Sequence, residues 1–260
     1  MLRRKKRVVK ICKEMKYAII SDIHSNPKAL ETVLSDAWEQ DAEKVICLGD
    51  VVGYGPDPSG AIKLVRETCD VVLMGNHDAT VAGLRSLDGL IGSAADGDRR
   101  DRGRLSQQDI DWLASLPYAY SGDGFDCAHG SFADAERIFY TNDAFDAKTS
   151  LRISNAQFQF VGHTHVSAVW NWDKYLWDRF PDPRVEGAFV ADPEHRYVVN
   201  VGSVGYPRVE NDSVYALFDS ATGTVELRRL PFDYETYAAD LRSNGVELPF
   251  WLDEHLRRWP

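Results

Sequence analysis

The chain has 260 residues, 44% hydrophobic and 27% charged, proportions that exclude disorder, collagen and coiled coil and leave room for a large core without disulfides or a partner chain. Forty acidic residues against 30 basic ones give a formal charge of -10, which argues against a broad nucleic-acid-binding surface. The four cysteines, Cys12, Cys47, Cys69 and Cys127, form no Cys-x-x-Cys pair and read as free thiols in a reducing cytoplasm.

Seven basic residues and one acid crowd into positions 1–14 (MLRRKKRVVKICKE), so the remainder is more acidic than the whole. This leader lacks the apolar run of about 7–15 residues of a secretory signal, and no later stretch approaches about 18 consecutive apolar residues. No export signal or membrane span is expected. The leader is read as a disordered tail or a start assigned too far upstream, ahead of one domain over 15–260.

From Met15, apolar runs alternate with helical patterns. YAIIS (17–21) predicts a strand, and Pro27 opens an amphipathic helix, NPKALETVLSDAWEQ. KVICLG (44–49) is a second strand, followed by a Gly/Pro-rich turn and the helix AIKLVRET, which Asp57 or Ser59 can cap. DVVLMG (70–75) is a third. Strands joined by single helices predict parallel crossovers and a doubly wound half.

The stretch 79–150 is expected to be mostly helical, with a capping-box start at Ser106 ahead of IDWLASL and a mobile surface loop over 86–104. From 124 the texture becomes short strands: GFDCAH, QFQFVG, SAVWNW, RYVVNVG, SVYALFDS and TVELRRL predict a second, largely antiparallel or mixed sheet. Two short helices, YETYAADLRSNG and WLDEHLRRW, close the chain.

The polar residues cluster where these strands end. His24, His77, His129, His163 and His165 directly follow apolar runs, beside glycine or a carboxylate, and Asp50 ends VICLGD in the same way. Carboxyl ends of strands in open α/β sheets converge on one crevice, so these segments should meet. Asp22, His24, Asp50, Asn76, His129, His163 and His165 offer nitrogen and oxygen donors without a thiolate, enough for two divalent ions sharing one carboxylate. A single structural zinc needs four. The i, i+2 pairs Asp22/His24 and His163/His165 place both members on one side of an extended chain. His195 and His255 fall outside these segments.

DIH at 22–24, GD at 49–50, GNHD at 75–78, HG at 129–130 and GHTH at 162–165 resemble, in order, the five-block signature of calcineurin-like metallophosphoesterases. The resemblance implies an α/β four-layer α-β-β-α sandwich of two mixed β-sheets flanked by helices. By position, Asp22, His24 and His165 would hold a first metal and Asn76, His129 and His163 a second, with Asp50 bridging, while His77 corresponds to the family's catalytic, non-ligand histidine. Manganese is the favoured ion, with iron, zinc, cobalt or nickel as alternatives. GDVVGYGPDP and NVGSVGYPR look like the small bacterial and archaeal branch with phosphodiesterases and diadenosine tetraphosphate hydrolases. Protein serine/threonine phosphatases carry Asp-Arg-Gly after the GD block, where this chain has Gly53-Tyr54-Gly55.

The implied reaction is hydrolysis of a phosphodiester, a phosphomonoester or a dinucleoside polyphosphate by a metal-bridging hydroxide. His77, oriented by Asp78, would protonate the leaving oxygen; the alternative for Asp78 is a helix N-terminal acid. Arg208 is the candidate phosphate contact, with a surface salt bridge as its plainer alternative. The aromatics Trp170, Trp172, Tyr175, Trp177 and Phe180 form either a nucleobase platform or, more simply, core packing. The expected partner is a small phosphorylated or nucleotide substrate. The competing readings are a protein serine/threonine phosphatase and a non-catalytic binding scaffold of the same fold.

Overall fold

The computed structural model describes residues 15–89, 92–172, 177–179, 188–208 and 211–258. In chain order its elements are β1 (Lys16–Ile20), α1 (Pro27–Glu39), β2 (Lys44–Cys47), α2 (Pro58–Thr68), β3 (Val71–Val72), α3 (Asn76–Val81), α4 (Ser93–Arg104), α5 (Gln107–Ala114), β4 (Ala119–Ser121), β5 (Phe125–Ala128), α6 (Ala144–Leu151), β6 (Phe158–Val161), β7 (Ala168–Trp172), β8 (Trp177–Arg179), β9 (Ala188–Val190), β10 (Arg196–Asn200), β11 (Asp212–Asp219), β12 (Thr224–Pro231), α7 (Tyr234–Ser243) and α8 (Phe250–Arg258). Helix starts follow local chemistry. Asn26 accepts from the Ala29 N–H ahead of Pro27, Asp57 from Gly60, and Ser106 from Asp109.

The strands form two mixed sheets. One has the order β3-β2-β1-β11-β12-β9, with β1, β2 and β3 parallel and the other pairs antiparallel. The second runs β4-β5-β6-β10-β7-β8, with β5, β6 and β10 parallel. The two terminal strand runs therefore leave the sheet expected for them: β11 and β12 extend the first sheet beside β1.

The alternation of β1 explains the layering. Ala18 and Ile20 face α1 and α2 through Leu30, Val33, Ile62 and Val65, whereas Ile19 joins Ile46 and Leu48 against Phe125, Phe160 and Val199 of the second sheet. A strand that is apolar on both faces accepts either a helix or a sheet as cover, so the expectation of a doubly wound half is corrected: helices cover one face and a sheet the other. On the far side, Ala147 and Leu151 of α6 pack on Val161, Trp170 and Val198, completing the α-β-β-α order. Trp170 is thus core packing. Trp172 lies under the Arg196 guanidinium, and the side chains of Tyr175, Trp177 and Phe180 lie outside the described residues, as does the 1–14 leader.

The expected mobile loop at 86–104 is also corrected. Its second half is α4, which buries Ala95, Gly97, Asp98 and Asp101 rather than an apolar stripe. No helix among the described residues is long and apolar enough to cross a membrane.

Candidate metal centre

The carboxyl ends of β1, β2, β3, β5 and β6 bring the sequence-predicted donors together. The loops after β1 and β2 are zipped by backbone bonds, Asp22 N–H to the Gly49 carbonyl and His24 N–H to the Asp50 carbonyl, each at 3.0 Å. Two glycines permit the close approach of the rest. A Cβ on Gly75 would collide with Asp50, and one on Gly162 with Ser21 and Asp22.

Backbone strain concentrates here. Asp22, His24, Asp50, His163 and His165 adopt left-handed φ values of 56°, 49°, 53°, 69° and 61°, a region costly for residues other than glycine. These five are among the seven expected donors.

The two central carboxylates share one design. Asp22 Oδ2 accepts the His163 N–H at 3.0 Å, and Asp50 Oδ1 accepts the His77 N–H at 2.9 Å. The remaining oxygen of each faces imidazoles. Asp22 Oδ1 lies 3.2 Å from His165 Nε2 and 3.7 Å from His24 Nε2, while Asp50 Oδ2 lies 3.1 Å from His129 Nε2 and 3.8 Å from His24 Nε2.

The histidines are fixed from behind. His24 Nδ1 is 3.1 Å from the Val52 carbonyl and His165 Nδ1 is 2.6 Å from the Tyr206 carbonyl, so each Nδ1–H donates outward. Their Nε2 atoms then confront each other across 3.0 Å, two lone pairs that a proton or a cation must reconcile. Asp22 Oδ1, Asn76 Oδ1 and both ring nitrogens of His129 are buried with no hydrogen-bond partner. Orphaned buried polar atoms are costly.

Charge follows the same geometry. Burial holds His24 and His163 down to about 3, the neutral state in which imidazole binds metal. Burial opposes protonation of His129 as well, but the Asp50 and Asp22 carboxylates lift it to about 9. For Asp22 and Asp50 burial acts upward and is outweighed by the surrounding histidines, chiefly His165 and His129 for Asp22 and His129 and His77 for Asp50, which hold both well below the usual carboxylate range. Donor atoms of Asp22, His24 and His165 lie within 4.8 Å of one another, as do those of Asp50, His129 and His163 and those of His24, Asp50 and His77. A set of buried nitrogen and oxygen donors at this spacing fits divalent cations.

His77 is buried, and burial would lower its pKa; Asp50 and Asp98 together raise it to about 8. Its Nδ1 is 2.6 Å from Asp98 Oδ1. The orienting carboxylate expected next door is therefore replaced. Asp78 instead accepts the N–H groups of Val51, Val52 and Gly75, bracing the turn at the start of α3, because in a helix it points back toward the N-terminus and away from the His77 ring. Asp98 was missed because it lies in a polar stretch without apolar periodicity. The recurrence of Ala95, Asp98 and Asp101 on one helical face was the available signal.

Tyr54 was also missed. Its ring packs on His24 and His77 at 4.8 and 4.7 Å and stacks on Tyr206 at 4.4 Å. Arg208 is exposed at the rim and donates to the Tyr54 hydroxyl at 3.4 Å. His195 and His255 lie outside the cluster, beside Tyr197 and Tyr234.

Comparison with known proteins addresses the family and the fold. The chain is 31% identical over 249 residues to an uncharacterized protein of Methanocaldococcus jannaschii, covering 92% of this chain and 96% of that one. A metallophosphoesterase from Sphaerobacter thermophilus is similar in structure, with a TM-score of 0.76 and 30% identity over 92% of this chain and 96% of its own. A hypothetical protein from Pyrococcus horikoshii shares the fold at 17% identity and a TM-score of 0.71, with 91% and 95% covered. Residues 15–167, which carry all seven expected donors and His77, match the calcineurin-like phosphoesterases, and the chain belongs to that family.

Proposed function

We propose that the chain hydrolyses phosphate esters using two divalent metal ions, one held by Asp22, His24 and His165 and the other by Asn76, His129 and His163, with Asp50 between them. The observation that carries this reading is the set of buried donors that make no hydrogen bond, Asp22 Oδ1, Asn76 Oδ1 and His129 Nδ1 and Nε2, together with the facing Nε2 atoms of His24 and His165. Ions held by these residues would lower the pKa of a water and neutralise charge on phosphoryl oxygens. The carboxylate and amide oxygens suit manganese, and the imidazoles suit iron, zinc or nickel as well.

The chain's own groups supply the rest. Asp98 occupies Nδ1 of His77, so Nε2 is the ring atom free to pass a proton to the leaving oxygen, a contribution of about 10² to 10⁴ in rate. Arg208, exposed and donating to the Tyr54 hydroxyl at 3.4 Å, would meet a phosphoryl oxygen or the group esterified to it. The substrate is a small phosphodiester, phosphomonoester or dinucleoside polyphosphate. The free thiols Cys47, Cys69 and Cys127 support a reducing cytoplasm as the place of work.

The test is hydrolysis of aryl phosphate mono- and diesters by manganese-loaded protein, with metal analysis in parallel. His77→Ala should keep two ions and lose turnover by about 100-fold or more. At most one ion after loading, or two ions with no hydrolysis above buffer, overturns the reading.

A further inference from the structure

Aromatic rings flank the cluster at both ends. At the His24 and His77 end, Tyr54 is backed by the buried ring of Tyr206. At the His163 end, Tyr140 lies flat on the imidazole, with centroids 3.8 Å apart and planes 9° from parallel, yet 47% of Tyr140 remains exposed. Tyr140 lines a cavity of about 450 Å³ together with Phe139 and Phe145, which are 52% and 75% exposed. Its polar lining includes Asn142, Asp134 and Asp146.

Three exposed aromatic rings within seven residues around one concavity mark a binding surface. The segment is also held in shape. Asp143 accepts the N–H groups of Phe145 and Asp146 at 2.8 and 3.0 Å, and Asp146 Oδ2 accepts the Asn142 N–H at 3.0 Å.

We infer that this cavity seats a nucleoside arm of the ester, stacked against Tyr140 and Phe145, while the phosphate lies at the neighbouring cluster; the inference rests on the phosphoesterase reading above. The volume falls within the ~300–1,000 Å³ of small-molecule sites. Rings offer a stacking face to any base. Two carboxylates line the wall, and Arg137 pairs with Asp134 at 3.3 Å and lies over the Phe139 ring, so the cavity lacks the cluster of cations that a further phosphate needs and suits an uncharged group. The Asn142 amide and the Asp146 carboxylate, only one oxygen of which is taken by the Asn142 N–H, suit a base with an exocyclic amino group, such as adenine, whereas a bare phenyl ring would leave them unused.

Adenosine alone carries no phosphate and needs no metal, so its binding to the full chain in a chelator isolates the cavity. Ligand-observed NMR titration should show adenosine binding to the wild type, weakened about tenfold in Phe145→Ala by loss of one stacking partner. With manganese, the KM for adenosine 5′-(p-nitrophenyl) phosphate should rise about tenfold in that variant relative to the KM for methyl p-nitrophenyl phosphate. Trp38→Ala, which removes an exposed ring of α1, should change neither. Unchanged adenosine affinity in Phe145→Ala, or KM values that move together, overturns the inference. Aryl esters turned over by a protein that does not bind adenosine overturn the cavity assignment alone, whereas adenosine bound with no ester turned over overturns the phosphoesterase reading.

Discussion

His77 Nδ1 and Asp98 Oδ1 lie 2.6 Å apart, with both side chains buried, and the contact joins the start of α3 to the middle of α4. One turn further along α4, Asp101 Oδ2 accepts the Gly53 N–H at 2.9 Å and the Ser25 hydroxyl at 2.8 Å, and Arg100 donates to the carbonyls of Tyr54 and Gly55. One polar helix face thus fixes the loops after β1 and β2 and the ring of His77. Burial raises both Asp98 and Asp101, opposed by His77 at Asp98 and chiefly by Arg100 at Asp101.

Asp98→Asn keeps the shape and removes the charge. Turnover of an aryl phosphate should fall about ten- to hundredfold, the loss typical for partners that orient a metal-bound histidine. The pH profile separates this from a general loss of structure. A protonated His77 is needed as acid, so activity falls as pH rises through its pKa, pushed to about 8 in part by Asp98. Removing an anion that favours imidazolium lowers that pKa, and the alkaline limb should move to lower pH. An unmoved limb with reduced turnover would leave Asp98 a packing residue.

Manganese should stabilise the chain by mass action, since the unfolded state has no assembled donor set. At a free concentration of 100 Kd the gain is about 2.7 kcal/mol, or roughly 5 to 10 °C in Tm for a chain of this size. In Asp50→Asn, which weakens the ligand proposed to serve both ions, the shift should largely vanish. Differential scanning fluorimetry with and without a chelator reads both.

A second ion network should govern acid stability. Asp36 of α1 receives Arg228 Nε and Nη2 of β12 at 2.6 and 2.7 Å and the Tyr215 hydroxyl of β11 at 2.6 Å. The Arg228 hydrogen bond is the main influence holding its pKa below the ordinary aspartate range. A depressed carboxylate contributes stability that is whole above the unfolded pKa of about 3.9 and fades as pH falls through the folded value. Asp36→Asn should therefore cost about 1 to 2 kcal/mol at pH 7, a deficit that shrinks below about pH 4. Urea unfolding at the two pH values measures it, and an equal deficit at both would refute the linkage.

That the seven expected donors and His77 come together was legible in the sequence because each directly follows a short apolar run, and strand ends of an α/β sheet converge. The helix starts at Asn26, Asp57 and Ser106 were legible for a local reason too, since a cap bonds within three residues. Sheet membership was not. β11 and β12 carry the same apolar run whichever sheet they join, and the choice is made by pairing across about 200 residues, Tyr17 against Phe218 and Ala18 against Leu217.

The site divides in the same way. Sequence alone determined which residue types stand at strand ends, and with them the family and the donor chemistry. Only the tertiary structure decided which oxygen of Asp22 and Asp50 is spent on a backbone N–H, that Asp98 rather than Asp78 holds His77, and that Tyr140 covers His163 beside a cavity. These relations join groups brought together by packing from distant parts of the chain, or depend on where a side chain points. Periodicity records which face a residue takes within its own element and carries no information about the partner waiting there.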